Sequence, residues 1–162
     1  MNNKSNIIHS DQLFIGYNIN DDIIEYIDSQ FNKIIIFTQE KIKKSFNHRL
    51  QKLIVKYKAE VFILDDGEKA KSISSAIKSI NYLSEIKADK NSLLIAYGGG
   101  TVTDHVGFVS SIFKRGVEYI NIPTTLIGMI DASIGGKTAI NLDEVKNQIG
   151  TFYHPSKIFI EL

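Results

Sequence analysis

No cysteine occurs anywhere in the 162 residues. That absence excludes disulfide frameworks, thiolate metal sites and cysteine nucleophiles, and it fits a reducing compartment. Charge of one sign is equally scarce: the formal net charge is +1, with lysines spread along the chain. A nucleic-acid binder would carry a dense basic face, whereas scattered lysines read as solvated helix surfaces. Apolar runs are short, and none approaches the roughly 18 residues needed to cross a bilayer. The opening MNNKSNIIHSDQ has no apolar core of the kind a cleaved secretory signal requires. Internal repeats and low-complexity linkers are missing too. The four histidines, His9, His48, His105 and His154, stand at no metal-ligand spacing, and no Ser or Cys sits in a nucleophile motif. The expectation is a soluble, cytoplasmic, one-domain protein with no nucleic-acid partner, no membrane partner and no metal site of its own.

What is present is an ordinary globular composition, 43% hydrophobic and 23% charged, arranged in alternating patterns. Asn20-Asp21-Asp22 reads as a helix cap followed by acids in the first turn, with Ile23, Ile24 and Ile27 on one face. Ile34 to Phe37 is a continuous apolar run, as in a strand buried on both faces. Ile42, Phe46, Leu50 and Leu53 recur at helical spacing. Val61 to Leu64 reads as a second buried strand, ending at the turn signal Asp65-Asp66-Gly67. Ile73, Ala76, Ile77, Ile80, Leu83 and Ile86 mark an amphipathic helix. Leu93 to Tyr97 is a third strand, a helix is expected near Asp104, and Glu118 to Ile122 is a fourth strand. This alternation predicts an α/β fold, a doubly wound and mostly parallel sheet with helices on both faces, Rossmann-like. Lys157 to Leu162 reads as one more apolar strand, and its ending without a cap or polar tail points to a fragment of a longer protein.

Two loops carry chemistry in this pattern. Gly98-Gly99-Gly100 follows a strand and precedes a helix, where bare backbone can approach a pyrophosphate. The G-x-G-x-x-G match is incomplete, because Thr103 holds the third glycine position. Thr101 and Asp104 also have capping-box spacing, so a tight capped turn fits the same residues. The second loop, Asp131 to Asn147, is polar and follows a buried strand at the edge where ligands meet an α/β sheet. Gly136-Lys137-Thr138 within it is no Walker A loop, since Asp131 stands where that motif needs glycine. A lysine after two glycines can still place an ammonium on a phosphate or carboxylate, or simply be solvated.

Taken together, Asp66-Gly67-Glu68 with Lys71, Gly98-Gly99-Gly100 with Asp104 and Gly107-Phe108, Arg115-Gly116-Val117, Pro123 to Leu126, and Asp131, Ser133, Gly135 to Thr138, Asn141, Lys146-Asn147, Ile149-Gly150 and Phe152 resemble the N-terminal half of the 3-dehydroquinate synthases, in the sugar-phosphate cyclase family. The order and spacing of these motifs over residues 66 to 155 carry the resemblance; residues 1 to 65 agree only in element pattern. It implies that residues 1–162 form an NAD-binding N-terminal domain. It also implies a sugar-phosphate substrate, 3-deoxy-D-arabino-heptulosonate 7-phosphate, that is oxidised, loses phosphate, is reduced again and closes to a carbocycle.

By that resemblance, NAD contacts fall on Asp66, Gly67, Glu68, Lys69 and Lys71 at the adenosine side. Gly99, Gly100, Thr101, Val102, Thr103 and Asp104 would serve the pyrophosphate, with Thr124 and Thr125 beside them. Asp131, Lys137, Lys146 and Asn147 would lie toward nicotinamide and substrate, and Arg115 would reach the substrate of a neighbouring subunit in a homodimer. Physical chemistry agrees in outline: an ammonium such as Lys137 stabilises an enolate beside an oxidised carbon, and a fixed cation such as Arg115 favours phosphate departure. Thr103 replaces a common family glycine, so the loop must keep φ negative there, and Ala139 replaces another. The family's zinc or cobalt is bound in a helical C-terminal domain outside these residues, so the 162-residue chain alone is expected to be inactive. Competing readings are another sugar-phosphate cyclase, an iron-dependent alcohol or glycerol dehydrogenase, and a non-catalytic NAD-binding module.

Overall fold

A computed structural model describes residues 6–9, 11–28 and 30–162, with residues 6–9 as backbone. Part of the N-terminal stretch read above for a secretory signal therefore lies outside the described residues. The strands are β1 (Asn6–His9), β2 (Leu13–Gly16), β3 (Lys33–Gln39), β4 (Glu60–Leu64), β5 (Ser92–Gly98), β6 (Tyr119–Pro123), β7 (Lys137–Leu142), β8 (Val145–Phe152) and β9 (Lys157–Glu161). The α-helices are α1 (Asn20–Ile27), α2 (Glu40–Ser45), α3 (Asn47–Tyr57), α4 (Ile73–Glu85) and α5 (Gly100–Ile112).

Side chains on a strand alternate between faces, so an unbroken apolar run builds two cores at once. Ile34 and Ile36 of β3, with Leu93, Ile95 and Tyr97 of β5, pack against Ile23 and Ile27 of α1 and Leu50 and Leu53 of α3. Ile35, Phe37, Leu94 and Ala96 face the other way, onto Ala76 and Leu83 of α4 and Val102, Val106 and Val109 of α5. Seven strands form the main sheet in the order β1-β2-β9-β6-β5-β3-β4. Only β1 runs antiparallel to its neighbour. The doubly wound, mostly parallel architecture is the one expected. Its chain leaves β3 toward β4 and leaves β5 toward β6, so the crevice lies beyond the C-terminal ends of β3 and β5.

Several local expectations are corrected. Ile19, not Asn20, precedes α1, and no side chain caps that helix. The Ile42 to Leu53 periodicity is split into α2 and α3 by the non-helical Phe46. Strand β4 is the sheet edge rather than a buried strand, and its Ile63 is 38% exposed. On α4, Ala76 and Leu83 are buried while Ile77 is 52% exposed. Strands β1 and β2 gave no pattern strong enough to read. Helix α5 starts at Gly100, a full turn before Asp104.

The largest correction concerns Asp131 to Asn147, which is not simply a loop. A π-turn at Gly128–Ala132 carries Asp131, and Lys137 opens the β7–β8 hairpin, a separate two-stranded sheet. That hairpin lies across α5 at Gly107, where an added Cβ would come within 2.3 Å of Thr138 Cγ2. Hydroxyls complete the joint: Thr138 Oγ1 donates to Thr151 O at 3.0 Å, and Thr151 Oγ1 donates to Ser111 Oγ at 2.9 Å. Ser111 Oγ in turn donates to Phe108 O at 2.7 Å. The hairpin is thereby fixed to the helix that begins at the triple glycine.

Candidate functional site

The N-terminus of α5 supplies the first half of the site. Gly99 is extended (φ −78, ψ −175) and has no side chain to cap the helix. Its carbonyl accepts from Val102 N at 2.9 Å and Thr103 N at 3.1 Å. The amides of Gly100 and Thr101 come earlier in the first turn, where no helical acceptor exists. Bare amides at the positive end of a helix suit a pyrophosphate. The cradle is packed closely around bare backbone: a Cβ on Gly99 would lie 3.1 Å from Thr125 Cγ2, and one on Gly100 would lie 3.3 Å from Ala132 Cβ. Thr124 N donates to Gly98 O at 2.9 Å, and Thr125 Oγ1 accepts from Gly128 N at 3.2 Å. The Thr124 hydroxyl is buried with no hydrogen-bond partner among the described residues.

Val102 and Thr103 are buried inside α5, so their side chains belong to the core and only their backbone faces outward chemistry. Thr103 Oγ1 donates to Gly100 O at 3.0 Å, and its φ is not positive, as its β-branched side chain demands. The capping-box pairing of Thr101 with Asp104 does not form. Asp104 instead accepts from Lys71 Nζ at 2.6 Å.

The second half of the site is a cleft of about 390 Å³ beside the hairpin. Asp104, Asp131, Lys137 and Asn147 line it together with Ala132 and Phe152. Burial holds the Asp104 carboxyl above its ordinary range; the bond and charge of Lys71 oppose that shift, and the charges of Glu68 and Asp131 add to it. Asp104 and Asp131 therefore share one electrostatic neighbourhood, with Lys71 beneath and Lys137 at the wall.

Lys71 is buried, and its ammonium also donates to Asn147 Oδ1. Lys71 thereby joins the 3-10 turn at Gly67–Lys71 to α5 and β8. Asp66, Gly67, Glu68 and Lys69 are exposed past the edge strand, with Gly67 at φ +65. Lys146 is exposed on β8 but is not among the residues lining the cleft. Arg115 is not brought in: it lies beyond the far end of α5, roughly 18 Å of helix from Gly100. Sequence reading missed Phe152 and Ala132 as cleft walls, and it missed the grip of Asn121 Nδ2 on Ser133 O at 3.1 Å that holds the Asp131 turn to the sheet. The signal available for the hairpin was its two-residue turn, Asp143-Glu144, between two alternating runs.

His105 is not a plain first-turn residue either. It is fully buried, and its Nε2 lies 2.9 Å from Ser79 Oγ. Ser79 Oγ also donates to Ser75 O at 3.0 Å. Burial pushes this imidazole down to about 4. An unfolded histidine protonates near 6.5, so the unfolded state binds more protons between those values. We predict that stability is fully present above about pH 6.5 and falls by about 3 kcal/mol as pH drops toward 4. Urea denaturation of the chain and of His105→Gln across that window measures it; equal pH slopes in both proteins would refute the assignment.

Among the described residues, no group of three or more His, Asp or Glu side chains could hold a metal ion. The divalent metal implied by the resemblance therefore has no donor set in these residues, whereas the glycine cradle fits a dinucleotide. No helix of the described residues is long and apolar enough to cross a membrane.

Comparison with known proteins agrees with this geometry. The chain is 42% identical over 146 residues to 3-dehydroquinate synthase of Prochlorococcus marinus subsp. pastoris, covering 89% of this chain and 40% of that protein. It is 49% identical over 131 residues to the same enzyme of Sulfurisphaera tokodaii, covering 80% and 36%. The chain thus spans about two fifths of the length of these relatives. Among solved structures, 2-deoxy-scyllo-inosose synthase complexed with carbaglucose-6-phosphate, NAD+ and Co2+ superposes with a TM-score of 0.82 at 26% identity, covering 92% of this chain and 42% of that one. The family model described as 3-dehydroquinate synthase N-terminal matches residues 61–162, and the chain belongs to that family.

Proposed function

We propose that residues 1–162 are the NAD-binding domain of an enzyme that converts 3-deoxy-D-arabino-heptulosonate 7-phosphate to 3-dehydroquinate and phosphate in the cytoplasm. The observation that carries this reading is the junction of a bare glycine cradle at Gly99-Gly100 with a cleft walled by Asp131, Lys137 and Asn147. The amides of Gly100 and Thr101 would hold the dinucleotide's pyrophosphate, and Thr124 and Thr125 would border it. NAD, when bound, supplies a hydride acceptor that later returns the hydride. Asp104 would stand beside the pyrophosphate, with Asp66 to Lys69 and Lys71 on the adenosine side.

Lys137 would stabilise the enolate that forms next to the oxidised carbon, an ammonium being most effective where charge develops. Asp131 would hold a substrate hydroxyl, and Asn147 and Lys146 would orient the ring. Because Arg115 stands away from the cleft of its own chain, it would serve the substrate phosphate of a second protomer, which makes the enzyme a homodimer. Phe152 on the cleft rim is 80% exposed, and Leu126, Ile127 and Ile130, in the segment leading to Asp131, are exposed as well. Such a rim suits coverage by the further length that the relatives possess.

The test uses the longer protein containing this chain, supplied with the heptulosonate phosphate, NAD and a divalent metal. We expect equal amounts of phosphate and 3-dehydroquinate, and no turnover from the 162-residue chain alone. Absence of dehydroquinate from the longer protein, or turnover by the short chain, would overturn the reading.

A further inference from the structure

Asn141 belongs to the motif set that marks the chain, yet nothing above gives it a task. It sits on β7 where the main chain of β7 bridges to Ser72, next to Lys71. Its amide side chain is used at both ends. Nδ2 donates to Glu68 Oε1 at 2.9 Å, and Oδ1 accepts from the backbone amide of Asn147 at 2.9 Å. Asn147 has a left-handed backbone, φ 54, a conformation that asparagine tolerates better than other residues with a Cβ and that local hydrogen bonds help to hold. The Asn147 side chain then accepts from Lys71, which pairs with Asp104. One continuous chain of polar contacts therefore runs from Glu68 through Asn141, Asn147 and Lys71 to Asp104.

We propose that Asn141 is a positioning residue: it holds Asn147 in the conformation that faces the cleft and couples it to Glu68 on the cofactor side. Its enzymatic consequence rests on the functional reading above. The contacts require a donor and an acceptor on one short side chain, which the asparagine amide supplies as two separate atoms. Aspartate keeps the acceptor, loses the donor and sets a second carboxylate against Glu68. Pairing that change with Glu68→Gln restores the missing donor from the other side, since the glutamine amide can donate to the new carboxylate.

The inference is tested by Asn141→Asp, Glu68→Gln and the double variant. On the 162-residue chain, repulsion by Glu68 should swing the new carboxylate off Asn147 N, so amide hydrogen exchange at Asn147 is expected to quicken about tenfold or more in Asn141→Asp and to return toward the Glu68→Gln rate in the double variant. In the longer protein, kcat/KM for the sugar phosphate is expected to fall about ten- to a hundredfold in Asn141→Asp, the range of a lost hydrogen bond to a charged group. NAD affinity should change less, and the double variant should regain most of the activity of Glu68→Gln. Unchanged exchange at Asn147, or a double variant no better than Asn141→Asp, overturns the proposal. If the longer protein forms no dehydroquinate, the functional reading fails while the exchange experiment still decides the role of Asn141.

Discussion

Replacing Lys71 with methionine is expected to remove about 3 kcal/mol of folding stability at neutral pH. Breaking a buried ion pair leaves the surviving charge without compensation, at a cost of about 3–5 kcal/mol; the lower end applies because the Asp104 side chain is 20% exposed. Lys71 itself is buried and holds Asp104 at 2.6 Å. The sign of the pH dependence follows from the carboxyl. Burial raises the folded value of Asp104 above that of the unfolded chain, and loss of Lys71 raises it further. In the variant, the deficit is absent where Asp104 is protonated in both states. It grows as pH climbs from the raised folded value of the unaltered protein through the still higher one of the variant. Urea titrations of Lys71→Met at acid and neutral pH measure this. A pH-independent loss, or one below about 1 kcal/mol, would show that the pair carries little. Lys71→Met combined with Asp104→Leu should recover most of the stability, because a well-packed apolar pair can replace a buried ionic one.

Replacing Lys137 with alanine in the longer protein should lower kcat by at least about a hundredfold, the scale seen when one stabiliser of developing negative charge is removed. Lys137 is exposed at the start of β7, so its truncation should leave stability within about 0.5 kcal/mol. Isotope exchange at the acidified carbon of the substrate should slow with kcat if the ammonium stabilises the enolate. Turnover within a few-fold of the unaltered enzyme would take Lys137 out of the chemistry.

Much of the scaffold was legible because its physics is local. Ile34 to Phe37 and Leu93 to Tyr97 lie in sequence-contiguous apolar runs, and a strand covered on both faces has no other way to be written. The triple glycine, running from the end of β5 into α5, was legible as bare backbone that either turns tightly or lets a pyrophosphate approach. By contrast, α5 starts a turn before the expected position, at Gly100, and the Asp104 carboxylate pairs not with Thr101 but with Lys71, far away in sequence. Val61 to Leu64 looked buried because its composition is that of a core strand, and only the sheet order makes it an edge.

The amino-acid sequence by itself determined the fold class and the chemical inventory of the site. No cysteine, no basic face and no long apolar run closed off other classes, and ordered motifs over residues 66 to 155 marked the family. Tertiary structure alone decided how that inventory is arranged. The Asp131 to Asn147 segment became a π-turn and a hairpin because Gly107 lets β7 lie against α5. Lys71 became a strut between Asp104 and Asn147, and Arg115 was left at the distant end of its helix. These outcomes depend on side chains meeting across many residues of separation, where period and composition carry no signal and only the closed packing of the chain selects the partner.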